Sequence, residues 1–544
     1  MNSKKHIQAS ATRNDEAIAR AKNPASKTQR DFDLEPVTCE LFADELTPLM
    51  VLRRLQNASR HCYLLESVEN STEGRYTFLG FDPSMEITCK DGHMRITAKD
   101  ERELAGLDAV AQAFSQDAKV AEPQDATGNR ETNAGEGSKF VLEFDTTDPN
   151  LAIRAILARH KSPRKKELPP FTGGLVGYFS YDYLKYAEPT LRLDAPDEEG
   201  FNDIDLMLFD KVIAFDNLKK KLILIANART EQGEEGITAA KAELVAMKNV
   251  VLNGKAAPRQ GGKVTSEFRQ LFDEQGFCDV VEQAKKRIHE GDIFQVVLSN
   301  RLDADFEGSL LDTYRVMRTT NPSPYLFFLA SDDIEMAGAS PETLVKLEGD
   351  TLRTFPLAGT RPRGATPEED AHIEAELLAD EKELAEHNML VDLGRNDIGK
   401  LSRYGTVQVE NYLSIQRFSH VMHIGSTVSG QIAPGKDALD ALSSVLPAGT
   451  LSGAPKLSAC QIINDLEQCK RGVYGGAIGY LDFAGNMDMC IAIRLVFKKN
   501  GRVFVRSGAG IVADSVPENE YRETINKAAA VRLALETAQE GLDL

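Results

Sequence analysis

The sequence runs to 544 residues, 42% hydrophobic and 27% charged, with a formal net charge of −19. That composition describes an ordinary globular chain long enough for several domains. Its acidity argues against nucleic acid or an anionic membrane surface as partner, since either would repel it.

No apolar run approaches the ~20 residues a bilayer demands. The N-terminal stretch lacks the apolar core of a signal peptide, so a cytoplasmic location is expected. The seven cysteines are scattered without a CxxC pair and read as reduced thiols. The chain contains no tryptophan.

Taken in chain order, residues 1–31 are polar and read as a disordered tail. HCYLLESV and GRYTFLGFDPSMEITCKDGHMRITA alternate as paired strands. The polar stretch 115–139 reads as a flexible insertion. PPFTGGLVGYFSYDYL and DLMLFDKVIAFDNLKKKLILIAN continue the strand pattern, and KAELVAMKNVVLNG is helical. A boundary is expected at 252–264, giving an N-terminal region over 32–255 and a second domain over 265–540.

Beyond it, CDVVEQAKKRIHEGD predicts a helix stopped by Gly291, followed by the strand IFQVVLSNRL. One long helix is expected over 368–393, another over PKLSACQIINDLEQCKRG to Gly472, and a last one from about 518 to 540. GGAIGYLDF, MDMCIAIRLVFKK and GRVFVRSGAGIV read as strands. The fold class expected is α+β, with large antiparallel sheets flanked by helices in a sandwich-like arrangement.

The segment DSVPENEYRETINKA (514–528) sets Glu520, Glu523 and Lys527 within a wedge of about 60° on one helical face. Such a stripe is either a solvated face or a metal site with a cation beside it. Glu383 and Glu386 repeat the three-residue spacing, and two such pairs facing each other would offer oxygen ligands suited to Mg²⁺.

HVMH (420–423) offers a histidine either as general acid–base or as an ordinary core or surface group; in a strand its two rings would point to opposite faces and not share a metal. PAGTLSGAPK is glycine-rich but lacks the GK[ST] ending of a phosphate loop. SGAG (507–510) is either an anion-binding run of N–H groups or a tight strand end. Arg494, read in a strand, is either an anion ligand or a solvent-facing cation.

Together and in this order, PLAGTRPRG, DEKELAEHNMLVDLGRND, FSHVMHIGSTVSG, PAGTLSGAPK, YGGAIGY, IAIR and GAGIVADSVPENEYRETINKA resemble the chorismate-utilising enzymes, most closely the anthranilate synthase component I family. IFQVVLS, NPSPYLFF, LLES and PPFTGGLVGYFSYDY extend the resemblance over most of residues 35–540. It implies amination of chorismate at C2 by ammonia, then loss of pyruvate to give anthranilate, the first step of tryptophan biosynthesis.

Residue by residue, the resemblance implies Glu386 and Glu523 as Mg²⁺ ligands, with Glu383 and Glu520 as their partners. It places Tyr474, Arg494, Gly508, Ala509 and Gly510 on the enolpyruvyl carboxylate, and Gly359, Thr360 and Thr450 against the ring. Lys527 lies beside the metal, and His423 handles a proton. Gln295 and Ala358 stand where neighbouring families carry a lysine used to activate water or to attack C2; neither an amide nor a methyl can do so. The same resemblance implies a separate glutaminase subunit as ammonia source, in a heterodimer or heterotetramer, and feedback inhibition by L-tryptophan at Ser67, Pro324, Tyr325 and Leu326. Aminodeoxychorismate synthase and a silent sensing protein are the alternatives.

Overall fold

A computed structural model describes residues 32–67, 73–114, 120–124, 139–417 and 421–542. The tail 1–31, most of the insertion 115–139, and His420 lie outside the described residues. Within that insertion, Val120–Gln124 is an edge strand paired with Lys139–Asp145.

The core is two large antiparallel sheets of 13 and 12 strands, with a third of three strands beside them. The alternation of side chains seen in the sequence decides the layers. In Cys62–Glu66, Tyr63 faces a core shared with Ile87, Phe171 and Phe209 between the large sheets. Its neighbours Cys62 and Leu64 point to the opposite face. There they meet Val51 and Leu55 of the helix Pro48–Ala58 and Val531 and Leu535 of the helix Pro517–Glu540. The α+β class follows from these layers.

Both large sheets draw strands from either side of residues 252–264. Tyr325–Ala330 pairs with Cys62–Glu66, and Ala477–Asp482 with Gly174–Phe179. The early and late parts of the chain are interleaved in one sandwich.

Three local expectations are corrected. The helix expected over 368–393 is two helices, Pro367–Ala379 and Glu381–Gly399, because the Asp380 carboxylate accepts the N–H groups of Lys382 and Glu383 and starts a new helix. The helix expected to reach Gly472 runs Lys456–Glu467 and ends at Gln468, which takes the left-handed conformation. Arg494 lies not in a strand but between Met487–Ile491 and Leu495–Lys499, at φ 53°.

By contrast, Glu274–Glu290 ends at a left-handed Gly291 as its sequence requires. All seven cysteines are free. Among the described residues no helix is long and apolar enough to cross a membrane.

Candidate active site

The candidate residues lie where the helix Glu381–Gly399 packs on the three-stranded sheet and where the helix Pro517–Glu540 packs on the strand Arg502–Ile511. The N-cap at Asp380 is what positions the acidic wall. It starts the helix so that Glu383 falls in the first turn and Glu386 one turn on. Pro517 does the same for Glu520 and Glu523.

The two ExxE pairs face each other. Partial desolvation pushes the Glu386 carboxyl above the ordinary glutamate range, and Glu383 and Glu523 add to the shift by like-charge repulsion. Glu520 is raised in the same way, by desolvation and then by Glu523. Each ExxE pair has a cation: Arg361 Nη1 lies 3.2 Å from Glu383, and Lys527 Nζ lies 2.5 Å from Glu523. The donors are all carboxylate oxygens that repel one another, which fits a hard cation such as Mg²⁺.

Among the described residues, one group of three offers ligand atoms within 4.8 Å of one another, and it lies elsewhere: His61, Glu86 and Asp332. Lys139 Nζ already sits 2.9 Å from Glu86 and 3.8 Å from Asp332 there, so that cluster is an ion-pair network.

The opposite wall is backbone. Gly508, Ala509 and Gly510 lie in the strand Arg502–Ile511, directly opposite Ser299, Leu298 and Val297 of the strand Gln295–Glu307. A methyl added at Gly508 would come 3.0 Å from the Tyr474 hydroxyl, and one at Gly510 would come 2.9 Å from Gln295 Nε2. The glycines therefore let both side chains close on the strand. Lys527 Nζ donates to Gly508 O at 3.0 Å, and Arg494 Nη1 to Lys527 O at 3.0 Å. Burial pulls the Arg494 guanidinium below its ordinary value, against the opposing effects of Tyr474 and Glu523.

On the small sheet, Gly359 takes φ 63° at a bulge between Ala358 and Thr360. The bulge turns the chain so that His423 Nδ1 meets Gly359 O at 3.2 Å and Thr360 Oγ1 at 3.1 Å. Burial holds the His423 ring below the usual histidine value, with Arg494 lowering it further, so it stands neutral.

Thr450 lies in the 3₁₀ turn Gly449–Leu451 and donates to Glu342 Oε1 at 3.1 Å. Glu342 was not singled out in the sequence. Desolvation pushes its carboxyl up to about 7, against opposing pulls from the Thr450 hydrogen bond and Lys527. A single glutamate after Ser340 and Pro341 carries no spacing signal; only its surroundings mark it. Arg361, which holds Asp380 and Glu383 together, was also missed.

A cavity of about 390 Å³ lies apart from the acidic wall and collects Ser67, Pro324, Tyr325 and Leu326. Tyr325 donates to Asp488 at 2.8 Å and lies 2.9 Å from Thr343 Oγ1. Leu357 and Gly425, from the sheet that carries Gly359, Thr360 and His423, form part of its wall.

Residues 60–532 match the family described as chorismate binding enzyme. The chain is 41% identical over 520 residues to anthranilate synthase component 1 of Acetivibrio thermocellus, covering 94% of this chain and 97% of that one. It is 40% identical over 525 residues to the Aquifex aeolicus protein of the same name, with 94% and 97% covered. Among solved structures, anthranilate synthase component I from Streptococcus pneumoniae superposes with a TM-score of 0.67 at 33% identity, over 93% of this chain and 100% of that one. The menaquinone-specific isochorismate synthase of Escherichia coli shares the fold, at TM-score 0.62 and 18% identity over 96% and 99%. The chain belongs to the chorismate binding enzyme family. Within that family it falls with the anthranilate synthase component 1 proteins.

Proposed function

We propose that the chain is the large subunit of an anthranilate synthase, converting chorismate and ammonia into anthranilate and pyruvate. The observation that carries this reading is the site's division into an acidic wall of four glutamates and a cationic, N–H-lined floor. A dianionic substrate needs both a cation and fixed donors.

Glu386 and Glu523 are the residues that would hold Mg²⁺, with Glu383 and Glu520 supporting them. The bound ion supplies Lewis-acid stabilisation at the ring carboxylate. Arg494, Tyr474 and the Gly508–Gly510 backbone orient the enolpyruvyl carboxylate. Glu342, with a pKa near neutrality, is placed to give a proton to the departing C4 hydroxyl, and Thr450 holds its carboxyl in place. Neutral His423 is placed to take the ring proton as pyruvate leaves, its Nδ1 side turned to Gly359 and Thr360.

Gln295 and Ala358 support ammonia as the nucleophile, since neither can activate water or form a covalent adduct. Ammonia then comes from a separate glutaminase subunit. The buried thiols support this: burial raises those of Cys62, Cys89, Cys460 and Cys490, the opposite of what a nucleophile requires. The 390 Å³ cavity is the proposed site of L-tryptophan. Its shared wall with the His423 sheet gives the inhibitor a physical route to the chemistry.

The test is fluorescence of purified protein with chorismate, Mg²⁺ and ammonium, with pyruvate assayed in parallel. Anthranilate emission with equimolar pyruvate, abolished by EDTA, is the expected result. An amino-chorismate without pyruvate would assign the chain to the aminodeoxychorismate reaction instead.

A further inference from the structure

Beneath the floor strand lies a charged cluster that the proposed chemistry does not use. Glu467, Arg471 and Arg506 are each about 1% exposed at the side chain. Glu467 Oε1 accepts from Ser299 N at 2.7 Å, Ser299 Oγ at 2.9 Å and Arg471 Nη2 at 2.5 Å. Its Oε2 accepts from Arg471 Nε at 3.0 Å and Arg506 Nη2 at 2.6 Å. Arg506 Nε donates to Ser299 Oγ at 2.8 Å and its Nη1 to Lys470 O at 3.0 Å.

The remaining donors of Arg471 define what the cluster supports. Nη1 donates to Leu451 O at 2.6 Å, in the turn that carries Thr450, and Nη2 to Val297 O at 2.7 Å. Val297 and Ser299 are the residues opposite Gly510 and Gly508. The Arg471 guanidinium also stands 5.9 Å from the ring centre of Tyr474, whose hydroxyl closes on Gly508. One cluster thus holds the floor strand, the Thr450 turn and the Tyr474 neighbourhood in common.

Its charge does not cancel. Two guanidinium groups face one carboxylate, leaving one positive charge under the floor. The next buried acid, Asp182, faces the Gly472 N–H and Lys470 instead. Burying three charges carries a desolvation cost that well-packed apolar residues would avoid, so stability alone does not account for the arrangement.

We propose that Glu467, Arg471 and Arg506 form a positioning cluster for the reaction: they fix the floor and, through their net positive charge, strengthen its hold on a substrate carboxylate. The inference rests on the chorismate reading above. The cluster is buried and presents no exposed group to a substrate, so its effect falls on binding before chemistry.

The test compares Arg506→Gln with Arg506→Lys in ammonium-dependent turnover of chorismate at saturating Mg²⁺, with folding followed by circular dichroism. Removal of one buried unit charge is expected to raise KM about tenfold in the Gln variant, with kcat within about threefold. Lysine cannot reproduce the guanidinium fork but keeps the charge, so it should restore KM. A merely structural cluster predicts equal damage from both variants, and that result would overturn the proposal, as would a fall confined to kcat. If Arg506→Gln fails to fold, Arg506→Lys decides alone: KM within about twofold of the unsubstituted protein is expected, and a rise of about tenfold with the charge kept contradicts the proposal. Absence of chorismate turnover in the unsubstituted protein would instead refute the reading on which it rests.

Discussion

Two clusters of charge, the buried Glu467–Arg471–Arg506 cluster and the glutamates of the acidic wall, are built on opposite rules. In the Glu467–Arg471–Arg506 cluster every formal charge meets a counter-charge or a backbone carbonyl, and no solvent reaches it. In the acidic wall, partial desolvation and then Glu383 and Glu523 raise Glu386, and desolvation and then Glu523 raise Glu520. The first arrangement is closed. The second is the one that the proposed cation would complete. Like charges brought together at the cost of repulsion mark a place for a ligand, whereas charges closed into a buried hydrogen-bonded network mark a scaffold, here one that keeps a net positive charge.

The contrast can be broken most directly at the wall. Glu386→Gln and Glu523→Gln, measured by anthranilate formation at saturating Mg²⁺, should each lower turnover by about a thousandfold or more, because each deletes a ligand from an oxygen-only site. Retention of a tenth of the activity would remove that residue from the metal site.

Glu342→Gln should follow with a loss of about a hundredfold in kcat and little change in KM, as expected for a proton donor. In the unsubstituted protein the acidic form of Glu342 is fully present well below about 7 and is lost as pH rises through that value. The kcat profile should therefore fall on the alkaline side near 7, and Glu342→Gln should flatten that limb. An unchanged profile would assign the proton to another group.

Stability offers a third, gentler test. Glu386 and Glu520 have folded-state values above their unfolded ones. Their favourable contribution is thus present below the ordinary glutamate value and is lost as pH rises through the raised one. Metal relieves that repulsion, so the rise in Tm caused by Mg²⁺ should grow with pH across this window. A shift independent of pH would mean that the ion binds elsewhere.

The smallest effect is expected at the 390 Å³ cavity. Tyr325→Phe removes the hydroxyl that meets Asp488 and Thr343, and should raise the tryptophan concentration for half-inhibition by about tenfold, with uninhibited turnover within about twofold. Equal inhibition of both proteins would detach the cavity from tryptophan.

Much of this was legible in the sequence for definite reasons. The three-residue spacing of the glutamates, the helix start at Pro517 and the stop at Gly291 are local signals, and local signals survive folding. Resemblance, not spacing, joined the two glutamate pairs, and Glu523 lies near enough to Glu386 to add to the rise of its carboxyl. What escaped was set by contacts distant in sequence. Asp380 interrupts a helical periodicity that continues unbroken through it. Arg494 sits within an apolar run, yet the turn there gives it a left-handed backbone. Glu342 draws its raised pKa from burial and its orientation from Thr450, 108 residues away. The interleaving of early and late strands in both sheets likewise has no signature within any one strand.

The most direct measurement is calorimetric titration of Mg²⁺ into the metal-free protein in the presence of chorismate without ammonium, repeated with Glu386→Gln and with Glu523→Gln. The account predicts one ion per chain in the unsubstituted protein and binding lost from both variants, with their circular dichroism unchanged. Binding of equal strength in either variant would contradict the claim that the two glutamate helices together form the metal site.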